Sequence, residues 1–96
     1  MNRLDQIRQH RDAILRLAIR RGARHVRVFG SVARGEATAA SDVDFLVKFD
    51  PDRSLLDHGG LLMDLQELLG CGIDLVDEDA MRPRFREHVS KEAVAL

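Results

Sequence analysis

The sequence predicts a small α/β (α+β) domain, a mixed sheet packed with about four helices. Three observations carry that expectation. Helical and strand periodicities follow one another in the order helix, strand, turn, strand, helix, strand, helix. Glycine or Asp-Pro punctuation marks most of the boundaries between these segments. The chain has 96 residues, enough for one core but not two, so residues 1–96 are expected to form a single domain.

Residues 2–21 read as one helix. Leu4, Ile7, Ile14, Leu15 and Ala18 recur at helical spacing, and Leu17 and Ile19 widen the stripe. Asn2 is a suitable N-cap, and Gly22 after Arg20 and Arg21 is a suitable stop. Residues 25–29 form a short strand with Val26 and Val28 on one face. Residues 31–35 then turn or begin a short helix, and residues 36–40 form a loop. Residues 43–49 are the clearest strand: Phe45, Val47 and Phe49 share one face, Asp44, Leu46 and Lys48 the other. A helix follows over residues 55–69, with Leu61, Leu62, Leu65, Leu68 and Leu69 as its buried stripe, Asp57 as a candidate cap and Gly70 as its end. Residues 72–77 are a third strand, with Ile73 and Leu75 on one face and Asp74 and Val76 on the other. Asp79 is a candidate cap for a last helix over residues 81–91, with Pro83 in its first turn. Residues 93–96 could add a final strand.

Composition narrows the setting. The single cysteine, Cys71, allows no internal disulfide, no apolar run approaches a membrane span, and the N-terminus lacks a signal-peptide core. A cytoplasmic protein is expected. The net charge of −1 hides an asymmetry: through Arg34 there are nine arginines against two acids, and from Gly35 on six bases against fourteen acids. Taken without any motif, the basic third reads first as a solvated arginine-rich helix face, and second as a face for phosphates, nucleic acid or an acidic partner protein. With four Phe and no Tyr or Trp, stacking platforms for single-stranded nucleic acid are hard to build, and no direct nucleic-acid binding is expected.

The chemistry concentrates in two stretches. Gly30-Ser31-Val32-Ala33-Arg34-Gly35 follows the first strand, and ten residues separate Ser31 from Asp42-Val43-Asp44, which opens the second. Residues i and i+2 of a strand point the same way, so Asp42 and Asp44 project from one face with Cα atoms roughly 6.5–7 Å apart. Mg²⁺ takes hard oxygen ligands, commonly one or two carboxylates with substrate phosphates and water, and two such ions can flank an in-line displacement at phosphorus. Asp74 on the third strand would complete a three-carboxylate site, as a ligand or as acceptor of a hydroxyl proton. Gly30 lets the backbone approach a phosphate, a helix starting at Ser31 would aim N–H groups at an anion, and Ser31 and Arg34 add donors. Phosphate turn and carboxylates together suggest nucleotidyl transfer. Other polar residues have plainer readings: Asp77 and Asp79 as caps or loop residues, Ser41 as a turn hydroxyl, Glu36 as solvent-exposed although it could orient Arg34, Cys71 as small core, and His10, His25, His58 and His88 as scattered without metal spacing.

These stretches resemble the minimal nucleotidyltransferases of the DNA polymerase β-like superfamily. The resemblance runs from Gly30 to Ala37, from Ser41 to Val47 and from Gly72 to Val76, and extends to Leu68-Leu69-Gly70 and Glu92-Ala93-Val94. It implies a polymerase β-like nucleotidyltransferase fold. It also implies an enzyme that uses ATP and Mg²⁺, expected as two ions, and releases pyrophosphate. By position Asp42, Asp44 and Asp74 become the catalytic metal ligands, and Gly30, Ser31 and Arg34 the triphosphate contacts. It implies a partner as well: many stand-alone members are antitoxins paired with a helical HEPN ribonuclease toxin, which some neutralise by attaching AMP to a tyrosine. A hetero-oligomer with such a toxin is therefore expected. Alternatives are an antitoxin that acts by binding alone, transfer to a small-molecule or RNA acceptor, and a structural module with incidental carboxylates.

Overall fold

A computed structural model describes residues 2–96. Its elements are α1 (Arg3–Gln9), α2 (Arg11–Arg20), β1 (Ala23–Phe29), α3 (Gly30–Ala33), β2 (Val43–Phe49) and α4 (Leu55–Leu69), then β3 (Ile73–Asp77), a 3-10 turn (Glu78–Ala80), α5 (Pro83–Glu92) and β4 (Val94–Ala95). The strands form one sheet in the order β3-β2-β1-β4. β1 runs antiparallel to β2 and to β4, whereas β2 and β3 are parallel, joined through α4. The sheet is mixed, as expected.

The helix expected over residues 2–21 is two helices. Asn2 caps the first as expected, its Oδ1 accepting from the Asp5 N–H at 2.8 Å. At His10 the backbone leaves the helical region (φ −98°, ψ 12°). Its N–H bonds to the Ile7 carbonyl, three residues back. A straight helix over both segments would run about 27 Å. The break instead leaves α1 beside the loop before β2, where the Arg3 guanidinium donates to the Ala39 carbonyl at 3.4 Å. No proline or glycine marks this break, so periodicity could not register it. Ile7 and Ile14 are both buried, but Ile19, read as part of the stripe, is 71% exposed.

β1 starts two residues earlier than expected. Its register against β2 slips between Arg24 and Arg27, and His25 takes a left-handed conformation at φ 53°. This bulge puts exposed Arg24 and His25 side by side in sequence and lets Ala23 and Val26 both face the core. A two-residue period stops at such a point.

α4 ends where expected, but it starts at Leu55, ahead of the candidate cap, and its cap is different. Ser54, not Asp57, is the N-cap: Ser54 Oγ accepts from the Leu56 N–H, while the Asp57 carboxylate accepts from the Ser54 N–H, both at 3.2 Å. Asp57 thus completes a capping box rather than starting the helix. Gly70 closes it in the left-handed region at φ 66°. Leu61 and Leu65 are buried, whereas Leu55, Leu56 and Met63 face outward. Asp79 does not cap α5. Asp77 caps the 3-10 turn by accepting from the Asp79 N–H at 3.0 Å, and α5 begins two residues later than expected, with Pro83 as its first residue.

The two faces of the sheet are unequal. One carries the main core, where Val28, Val43, Phe45, Val47, Ile73 and Leu75 meet Ile7, Ile14, Ala18, Leu61 and Leu65 from α1, α2 and α4. The other carries a small cluster in which Leu46 meets Met81 and Val89, with Phe29, Val76 and Ala93 beside it. Asp44, Leu46 and Asp74, Val76 alternate onto this thinner face. Among the described residues no helix is long and apolar enough to cross a membrane.

Candidate active site

The sheet register assembles the site. Asp44 of β2 pairs directly with Asp74 of β3 in the parallel ladder, where neighbouring strands lie about 4.8 Å apart. On its other side Asp44 pairs with Phe29, the last residue of β1. Gly30 is therefore delivered to the flank of Asp44. The fit is close: Gly30 has φ +71°, and a Cβ there would overlap Asp44 Oδ2. Asp42, just before β2, has the same relation to Gly72: a Cβ on Gly72 would overlap Asp42 Oδ1. Two glycines, one opening α3 and one just before β3, thus make room for two carboxylates. Gly30 was legible as a phosphate turn; its service to Asp44 was not. Gly72 was missed as a site residue, although a glycine two residues before a strand carboxylate was the available signal.

Among the described residues no side chain or backbone N–H donates a hydrogen bond or ion pair to Asp42, Asp44 or Asp74. Repulsion is offset only in part. Burial, then the charges of Asp74, Asp42 and Glu92, push the Asp44 carboxyl above its usual range, with Arg34 opposing them. Nor do three acidic, His or Cys side chains among the described residues close into a ready-made ion cage. The set is an open array of hard oxygen donors without a cation of its own. That chemistry fits Mg²⁺ completing its shell with phosphate oxygens and water.

The turn is α3, four residues long, whose first N–H groups have no intrahelical acceptor. It starts at Gly30, one residue earlier than expected. The Ser31 hydroxyl makes no hydrogen bond among the described residues. Arg34 reaches the site, but not as a free cation: its Nε donates to Glu36 at 2.9 Å and its Nη1 to Glu92 at 2.7 Å. Glu36 is exposed, and it also holds Arg34, the other reading its position allowed. Glu92 was not recognised as part of the site, although Glu92-Ala93-Val94 was among the matching residues. Ser41 does stabilise a turn, its Oγ accepting from the Thr38 N–H at 2.9 Å. Beside Asp42 a cleft of about 560 Å³ opens between Arg3, Gln6, Thr38, Ser41 and Gly72.

A carboxylate pair across parallel strands, set against a glycine-serine turn on a small mixed sheet, defines a nucleotidyl-transfer class of protein. The chain matches the family model for the nucleotidyltransferase domain over residues 7–96. It belongs to that family and is a nucleotidyltransferase with the polymerase β-like fold. It is 43% identical over 73 residues to the protein adenylyltransferase MntA of Thermococcus cleftensis, covering 76% of this chain and 74% of that one. To a provisionally named protein adenylyltransferase of Methanocaldococcus jannaschii it is 35% identical over 81 residues, 84% of this chain and 87% of the relative. A solved structure provisionally named a minimal nucleotidyltransferase superposes with a TM-score of 0.90 at 51% identity, over 100% of this chain and 97% of that one. A toxin–antitoxin crystal structure with AMP-PNP shares the fold, with a TM-score of 0.75 at 21% identity over 88% of this chain and 69% of that one.

Proposed function

We propose that this nucleotidyltransferase is a Mg²⁺-dependent protein adenylyltransferase, an antitoxin that moves AMP from ATP to a hydroxyl of a cognate HEPN ribonuclease toxin. The observation that carries the reading is the register that sets Asp74 beside Asp44, with Gly30 closed against the same carboxylate. The names of the relatives support protein adenylylation, and the toxin–antitoxin neighbour supports a toxin partner through shared fold. The HEPN identity of the partner rests on the family resemblance.

In this reading Asp42, Asp44 and Asp74 hold two Mg²⁺ ions, which when bound offset the charge of the triphosphate and of the developing transition state. Gly30, Ser31 and the start of α3 receive the phosphates through N–H and hydroxyl donors, and Arg34 adds a cationic donor. The acceptor hydroxyl oxygen forms a bond to the α-phosphorus as the bond to the β-phosphate bridging oxygen breaks. Pyrophosphate leaves with that electron pair, and the hydroxyl proton passes to Asp74. Among the described residues no cation is hydrogen-bonded or ion-paired to Asp42 or Asp44, so none has to be displaced before the ions bind.

The test is intact-mass spectrometry of the neighbouring gene's product after incubation with this protein, ATP and Mg²⁺. A gain of one or more AMP units is expected, and none with the Asp42→Asn, Asp44→Asn double variant. A stable complex without mass gain would replace this reading by neutralisation through binding. Neither gain nor complex would move the acceptor to an RNA or a small molecule.

A further inference from the structure

Glu92 is an acid at the site that neither the phosphate turn nor the three-carboxylate set accounts for. It is the last residue of α5, where the negative end of a helix disfavours an anion. Its charge also adds to the load on Asp44. Both effects favour a neutral or cationic residue there. What offsets them is Arg34, whose Nη1 donates to Glu92 Oε1 at 2.7 Å. Among the described residues this is the one side-chain hydrogen bond joining the turn at residues 30–35 to α5.

A guanidinium carries five N–H donors in a rigid fork. Glu36 takes the one on Nε and Glu92 takes one on Nη1. Three have no acceptor among the described residues, and the Arg34 side chain is half-open to solvent. Two carboxylates at two different nitrogens fix the plane of the fork and so the direction of the remaining donors. The hydrogen bond to Glu36 is the first cause that raises the pKa of Arg34. Yet the Glu36 side chain is 65% exposed against 21% for Glu92, so solvent competes for the first partner far more than for the second.

We infer that Glu92 is a positioning residue for nucleotide binding: with Glu36 it clamps Arg34 so that the free donors of the guanidinium face the phosphates at the Gly30–Ser31 turn. The inference rests on the nucleotidyl-transfer reading. It makes α5, on the thinner face of the sheet, a part of the site through one ion pair.

The deciding experiment is calorimetric titration of the full chain with AMP-PNP and Mg²⁺, for wild type, Glu92→Ala, Arg34→Ala and the double variant. Glu92→Ala should weaken binding about tenfold, within the range of coupling between contacting side chains. In the Arg34→Ala background the same substitution should change affinity less than about twofold. Equal weakening in both backgrounds would mean that Glu92 only secures α5, and overturns the clamp. Tighter binding by Glu92→Ala would also overturn it, since Glu92 would then compete with phosphate for Arg34. Should Glu92→Ala not fold, Glu92→Gln keeps the shape and an acceptor but not the charge, and a smaller loss of the same sign is expected; unchanged affinity there overturns the clamp. If wild type binds AMP-PNP and Glu92→Ala binds it equally well, this inference alone falls. If wild type does not bind it, the nucleotidyl-transfer reading falls too.

Discussion

The two faces of the sheet obey different rules, and β2 shows both along a single strand. Phe45 and Val47 point into the main core with at most 1% of their surface exposed. Asp44, between Val43 and Phe45, points the other way, where burial and then the charges of Asp74 and Asp42 push its carboxyl above the usual range. One face is closed and apolar; the other leaves three carboxylates that no cation among the described residues bonds directly, with Arg34 acting on Asp44 through its charge alone. The comparison teaches that the stability of this domain is concentrated behind the sheet, which lets the front carry charges that act against folding.

Substitutions on the two faces should therefore separate stability from activity. Phe45→Ala empties the centre of the closed face and should cost about 3–5 kcal/mol of unfolding free energy, read from the urea midpoint. A loss below about 1 kcal/mol would break the comparison, because the core would not be carrying the fold. Asp44→Asn should do the opposite. Transfer should fall on the order of a thousandfold, the scale of losing one electrostatic stabiliser, while the protein without Mg²⁺ gains a few tenths of a kcal/mol after solvent screening. The sign follows from the raised pKa. A carboxyl that binds its proton more tightly when folded contributes stability below its unfolded pKa and loses it as pH rises through the folded one. At neutral pH Asp44 is a burden that Asn removes, and the gain should vanish in acid. If Asn destabilises at neutral pH, the front face is not strained.

Mg²⁺ should mimic part of that relief. At several times its dissociation constant it should stabilise wild type by about 1 kcal/mol in a thermal melt, and the Asp42→Asn, Asp44→Asn variant far less. The smallest effect is reserved for a residue that the periodicity placed in the core. Ile19→Lys should change stability by no more than about 0.5 kcal/mol, because Ile19 is exposed; a larger loss would mean that α2 buries more than its surface shows.

Legibility followed how local the determinant was. β2 has both its expected ends and α4 its expected C-terminus, because the alternation of β2 runs unbroken and Gly70 needs only its own φ to close α4. The break at His10 and the bulge at His25 had no local mark, since each exists to fit one element to another. At the site, the spacing of Asp42 and Asp44 and the face of Asp74 could be read from a period of two. That Asp44 and Asp74 stand opposite each other is a register, which two separate strands do not disclose. Glu92 was harder still. Its role depends on Arg34, far away in sequence, and its one local sign was an acid at the wrong end of a helix.

β3, which brings Asp74, stands at the margin of the sheet and is bonded on one side only. Opening of a margin strand takes less free energy than global unfolding. Warming should therefore silence the enzyme before it melts: the transfer rate should decline while far-UV circular dichroism still reports the full fold, and the amides of β3 should exchange with deuterium ahead of those of β1 and β2. The working temperature of this domain would then be set by the hold of one ladder on its neighbour, short of the denaturation point.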